Sequence, residues 1–145
     1  MSVASDLHDM VRKNIHKSGQ HLFGVFDPDG EQPPFVYTIG NAMHGLPELI
    51  IVGHFDANVV GHILNIVGEQ MRKSGEPLPE TVDIGGKLPI RVREASEAAK
   101  AEWTCQVGPY IGREDYRVQQ LLLCDPEGVF PGEAGINPGY DVPLI

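Results

Sequence analysis

The chain has 145 residues, 20 of them acidic and 11 basic, for a net charge of -9 at pH 7 with the histidines neutral. A hydrophobic share of 41% and a charged share of 21% suit one globular domain over residues 1–145, long enough to bury a sizeable core. So acidic a surface repels phosphate backbones and no basic stripe offsets it, which excludes nucleic acid; no apolar run reaches the roughly 20 residues of a membrane helix, which excludes a membrane span.

Ser5 to Ser18 places Leu7, Met10, Val11 and Ile15 at helical spacing, with Ser5 as N-cap and Gly19 as terminator. His21 to Phe26 alternates like a strand and runs into Asp27-Pro28-Asp29-Gly30, whose composition suits a type I turn, so a hairpin to Phe35–Gly40 follows. Gly40 to Glu48 is a turn-rich polar segment. Leu49 to Val52 then reads as a short strand buried on both faces.

Asp56 is the expected cap and Gly75 the stop of a long helix, in which Val59, Val60, Ile63, Leu64, Val67 and Met71 form a broad apolar face. Thr81–Ile84 and Leu88–Glu94 make a hairpin around Gly85-Gly86, with Arg91 and Arg93 on the face opposite Ile90 and Val92. Ser96 to Thr104 predicts a short helix carrying Trp103, and Gly108 to Gly112 a loop. Tyr116 to Cys124 is the candidate central strand. Asp125-Pro126-Glu127-Gly128 echoes the first Asp-Pro turn, and two matching hairpins would be natural in an antiparallel barrel. The tail from Val129 is irregular, with Val142, Leu144 and Ile145 expected to dock.

The fold expected from this order is α+β: a mostly antiparallel, partly barrel-like sheet with one long and two shorter helices. Cys105 and Cys124 form neither a zinc ribbon nor a disulfide scaffold, and the start of the chain lacks a signal-peptide pattern, so a reducing cytoplasm is expected.

No nucleophile elbow, phosphate loop, dinucleotide fingerprint, zincin or EF-hand motif occurs. What remains are constellations. Tyr37, Thr38, His44 and Glu48 could orient a ligand or move protons, their ordinary reading being strand and core residues. Backbone N–H groups of Gly40–Gly45 and of the Asp56 helix start could capture an anion, with Arg91 or Arg93 as counter-charge. A metal set from His44, His54 and His62, with Glu48 and Asp56, is the weaker alternative to solvated histidines.

PPFVYTIG at Pro33–Gly40, LPELIIVG at Leu46–Gly53 and DPEGVFPGEAGINPGY at Asp125–Tyr140 together resemble the bacterial domain of unknown function 4262 family. The resemblance covers most of the chain and brings no activity with it. Leu46 stands where many members have a histidine before the proline, so a role for that histidine falls to His44 or is absent here. A shared site is implied for Tyr37, Thr38, Gly40 and Glu48 in the first two motifs and Asp125, Gly128, Phe130 and Pro131 in the third, the two regions approaching each other; the alternative is that both are fold-defining turns.

The element order also looks like that of small split-barrel flavin-binding proteins, which would add a flavin and a homodimer; the analogy is at fold level only. Two functions follow. One is a small-ligand-binding or accessory module with its pocket near the 37–48 loop and the 125–131 turn. The other is an enzyme, flavin-dependent or metal-assisted, using His44, Glu48 or His54.

Overall fold

The computed structural model describes residues 3–27, 29–86 and 88–145, with side-chain environments from Asp9 onward. Helix α1 (Val3–Ser18) leads into β1 (His21–Val25) and β2 (Phe35–Ile39), and the 3-10 turn Asn41–His44 joins β2 to β3 (Glu48–Val52). Then come α2 (Ala57–Ser74), β4 (Thr81–Val82), β5 (Ile90–Glu94), α3 (Glu97–Trp103), α4 (Val107–Ile111), β6 (Val118–Leu123) and a second 3-10 turn, Pro138–Tyr140.

The six strands form one sheet in the order β1-β2-β3-β6-β5-β4. Four pairings are antiparallel, but β3 and β6 run parallel, Glu48 opposite Val118. The sheet is therefore mixed and open, with β1 and β4 as its edges, and the expected barrel is not formed. The reason lies in the second Asp-Pro turn: it leads into irregular chain instead of a returning strand, so nothing closes the edges. The fold-level ground for a split-barrel flavin site goes with it.

α2 covers one face. Its Val60, Ile63, Leu64, Val67 and Met71 pack with Leu49, Ile51, Val92 and Leu121 in one apolar cluster. The other face carries Tyr37, Ile39, Ile50, Val52 and Val118, covered by Val11 and Ile15 of α1 and Val107 of α4. β3 is thus buried on both sides throughout, as its unbroken apolar run predicts.

The caps of α2 are those the sequence announces. Asp56 accepts hydrogen bonds from Asn58 N (2.9 Å) and Val59 N (3.2 Å), and Gly75 closes the helix at φ 73°. Three elements differ. α1 begins at Val3, so Ser5 lies inside the helix and not at its cap. Gly108 to Gly112, expected as loop, lies largely in α4 (Val107–Ile111), which Gly112 ends at φ 75°. With α1 and α2 both long, the described residues hold four helices, not three. Pro28, the centre of the first turn, and Lys87, in the second hairpin, lie outside the described residues.

Both Asp-Pro turns use one device. Gly30 N donates to Asp27 O (3.0 Å) and Asp29 N to Asp27 Oδ1 (2.9 Å); Gly128 N donates to Asp125 O (2.9 Å) and Glu127 N to Asp125 Oδ1 (2.9 Å). They then diverge. Asp27 starts a hairpin, whereas Asp125 is buried and also accepts from Val129 N (2.9 Å) and Asn137 N (3.0 Å), pinning the tail.

The tail and the 76–80 linker are each gripped by β6. Gln119 accepts from Leu78 N and donates to Leu78 O, both at 3.0 Å. Gln120 donates to Pro143 O (2.8 Å) and accepts from Ile145 N (3.0 Å). Val142 and Ile145 dock as expected, but Leu144 stays 46% exposed. The tail also occupies the arginines of β5: Arg91 lies 4.0 Å over the Phe130 ring and 3.5 Å from Glu133, and Arg93 bonds the Ile145 carbonyl.

The Asp125 carboxyl is held below the usual carboxylate range by the N–H of Val129 first, opposed by burial and assisted by Asn137, Glu127 and Gly128. A depressed folded pKa means stability that is present above the unfolded value, near 3.8, and lost as pH falls through the folded one. Asp125→Asn is accordingly expected to lower the melting temperature at neutral pH, with the gap to the parent closing below pH 3.8. Melting curves across that range check it: a gap independent of pH would show that the charge is not what the turn uses.

Candidate functional site

The polar loop between β2 and β3 is organised by Glu48. Its side chain is wholly buried, and four donors converge on it: Thr38 Oγ1 (2.8 Å) and Asn41 N (3.1 Å) on Oε1, Gly40 N (2.9 Å) and Ala42 N (3.0 Å) on Oε2. An ionised carboxylate has about four lone-pair positions. All are filled from within the chain. Burial pushes the Glu48 carboxyl above its usual range, while the N–H of Ala42, the Thr38 hydroxyl and the N–H groups of Gly40 and Asn41 pull the other way.

The expected anion nest around Gly40 thus exists and holds the chain's own anion. The other expected anion site, the start of α2, is likewise occupied, by Asp56.

Thr38 extends the cluster by accepting from Leu49 N (2.9 Å) and Asn41 Nδ2 (3.1 Å). Asn41 Nδ2 also reaches Gln20 Oε1 (2.9 Å), and Arg72 NH1 donates to both Asn41 Oδ1 and Gln20 Oε1 at 2.7 Å. Gln20 in turn donates to Leu64 O (3.1 Å). A chain of hydrogen bonds therefore runs from Glu48 through the loop to α2, and no buried side-chain N or O among the described residues lacks a partner. Such a network rigidifies what it spans.

Glycines make room for it. A Cβ on Gly68 would strike the Gln20 amide, and one on Gly19 the Arg72 side chain.

The predicted site residues fall in three places. Thr38, Gly40 and Glu48 are together in this network. Tyr37 points to the other face of β2, 1% exposed, its hydroxyl bonded to the Gln106 backbone and its pKa raised by burial. Asp125, Gly128 and Phe130 follow the far end of β6, roughly 20 Å from Glu48 at about 3.3 Å per residue, because the parallel register sets Glu48 beside Val118. The two motif regions do not meet.

Nor do the histidines. His44 precedes β3 and His54 follows it, a separation of roughly 15 Å by the rise of a strand, and His62 is an exposed α2 residue. Among the described residues no group of three or more His, Cys, Asp or Glu could hold a metal ion, so the His44, His54, His62 set is not assembled.

His44 belongs to a different feature, a groove of about 660 Å³. α1 contributes Arg12, Ile15 and His16, and the 3-10 turn contributes Met43 and His44. α4 closes the far side with Tyr110 and Ile111. Arg12 and His16 share one helix face by their spacing of four. Met43 and His44 are placed by the turn whose first N–H groups Glu48 holds, so the buried network fixes one wall of the groove without lining it. Grooves of about 550 and 560 Å³ lie along β4–β5 and beside Arg72, but the arginines there already have partners: Arg91 with Glu133, Arg93 with the Ile145 carbonyl, Arg72 with Asn41 and Gln20.

Sequence reasoning missed Gln20, Asn41 and Arg72 as a set, and Arg12, His16, Met43 and Tyr110 as groove residues. The one available signal was the cationic cluster near the end of α1, which reads equally as a solvated helix end. The third wall, α4, was hidden because Gly108 to Gly112 has the composition of a loop.

No helix among the described residues is long and apolar enough to cross a membrane. Comparison with curated proteins and with solved structures yields no match. The family model described as "Domain of unknown function (DUF4262)" matches residues 14–137, a span that takes in the Glu48 network, all three motif segments up to Asn137 and two walls of the groove. The chain belongs to the DUF4262 family.

Proposed function

We propose that this is a single-domain small-ligand-binding module, and that its site is the groove between α1, the Asn41–His44 turn and α4. The observation that carries the reading is the make-up of that groove. At about 660 Å³ it has the size of a ligand pocket, with an apolar bed of Ile15, Met43 and Ile111 and polar groups converging from its edge. Met43 is 57% exposed, a large apolar side chain presented to solvent beside donors.

Of the residues singled out from sequence, His44 is the one that lines this groove; Thr38, Gly40 and Glu48 act through it by holding the turn in shape. An enzymatic role for Glu48 is less well supported, because a general base needs a free lone pair within reach of a substrate proton, and its lone pairs are taken.

Backbone-amide NMR of the full chain against a fragment library tests the reading. Binding fragments are expected to shift the resonances of Met43, His44, Tyr110 and Ile111 as a group. Hits that map to the β4–β5 groove, or none at all, would reject the site.

A further inference from the structure

We infer that the groove selects an anionic amphipath: a carboxylate head group at Arg12 with an apolar body laid over Ile15, Met43 and Ile111. The inference rests on the proposed site and adds the class of ligand.

Its ground is the distribution of charge partners. Arg72, Arg91, Arg93, Arg113 and Arg117 each bond a carboxylate, a side-chain amide or a carbonyl of the chain. Arg12, exposed on α1, forms no hydrogen bond or ion pair among the described residues, and it is the arginine that lines the groove. In a chain with 20 acidic residues against 11 basic ones, a guanidinium with no acceptor of any kind among the described residues is the exception. The groove lining also contains no Asp or Glu.

Two imidazoles stand with Arg12 at the polar edge. A histidine ring offers at least one N–H donor in either protonation state, so His16 and His44 can share a carboxylate with the guanidinium, whose planar fork matches that group. The same groove is lined by the apolar Ile15, Met43 and Ile111. A wholly polar anion would leave Met43 and Ile111 against water, and an uncharged apolar molecule would leave Arg12 desolvated without a partner, which is costly. A molecule with both ends satisfies both.

The probes are decanoate, decan-1-ol, decyltrimethylammonium and acetate, titrated into the full chain while the amides of Met43, Tyr110 and Ile111 are followed. Decanoate is expected to bind at least about tenfold more tightly than decan-1-ol, and acetate and the ammonium more weakly than either. Arg12→Glu removes no hydrogen bond or ion pair among the described residues, so the variant should melt as the parent does; it should weaken decanoate about tenfold or more and leave decan-1-ol unchanged. Equal binding of decanoate and decan-1-ol, or indifference of decanoate to Arg12→Glu, overturns the anionic class. If fragments bind the groove but none of the four probes does, the class is overturned and the site stands; if fragments do not bind there either, both fall.

Discussion

Glu48→Ala is expected to leave the chain largely unfolded, and Glu48→Gln to cost about 2–6 kcal/mol. The glutamine estimate counts two donors left facing an amide NH₂ in place of an oxygen, each worth about 1–3 kcal/mol when buried without a partner. Alanine strands the N–H groups of Gly40, Asn41 and Ala42 together, about 3–9 kcal/mol on the same scale, against a total stability of about 5–15 kcal/mol for a typical domain. No neighbouring acceptor can replace the carboxylate, because the Thr38 hydroxyl already accepts from Leu49 N and Asn41 Nδ2. Urea denaturation of the two variants gives the answer. A loss below about 1 kcal/mol for Glu48→Gln would mean that the loop's donors find partners by rearrangement, and that the carboxylate does not organise it.

Gly40→Ala should be nearly as damaging, for a steric reason. Gly40 sits at φ 128°, and a Cβ there would lie 2.9 Å from both Gly19 O and Ile15 Cγ1. Neither neighbour can yield cheaply: one is backbone at the end of α1, the other a buried core side chain. Backbone strain of about 1–3 kcal/mol and overpacking of similar size add to about 2–6 kcal/mol. Gly30 provides the control, with φ 71° and nothing within 4 Å of its added Cβ, so Gly30→Ala should cost only about 1–2 kcal/mol of left-handed strain. Equal denaturation midpoints for the two alanine variants would show that close approach of the loop to α1 is not limiting.

What the sequence made legible was whatever a single segment decides. The Asp56 and Gly75 boundaries of α2 follow from side-chain capping and a left-handed terminator, both local. The buried run of β3 needs only its composition, and the Asp-Pro turns only four residues each. Pairing across long distances was not legible. The parallel contact of Glu48 with Val118 depends on how β6 returns after two helices, and no residue in either strand encodes direction. That single pairing separates the Glu48 loop from the Asp125 turn. The site suffered similarly: a carboxylate in a glycine-rich loop reads as chemistry waiting for a substrate, and only the hydrogen-bond directions reveal that the loop itself is what it binds. The groove was invisible because its walls come from three segments, near residues 12, 43 and 110, and one of these had the composition of a loop.

Gln119 and Gln120 carry a consequence for how the chain tolerates change. Adjacent on a central strand, they project to opposite sides, and an amide side chain can give and take a hydrogen bond as a peptide group does. Each therefore treats a passing irregular segment as a strand would treat its neighbour, one above the sheet and one below. What they hold is main chain: the N and O of Leu78, the O of Pro143, the N of Ile145. Substitutions at those three positions keep the backbone atoms that the glutamines hold unless they add a proline, so this hydrogen bonding asks for a particular residue type only at the two glutamines, while Leu78 and Ile145 answer separately to the cores they pack against.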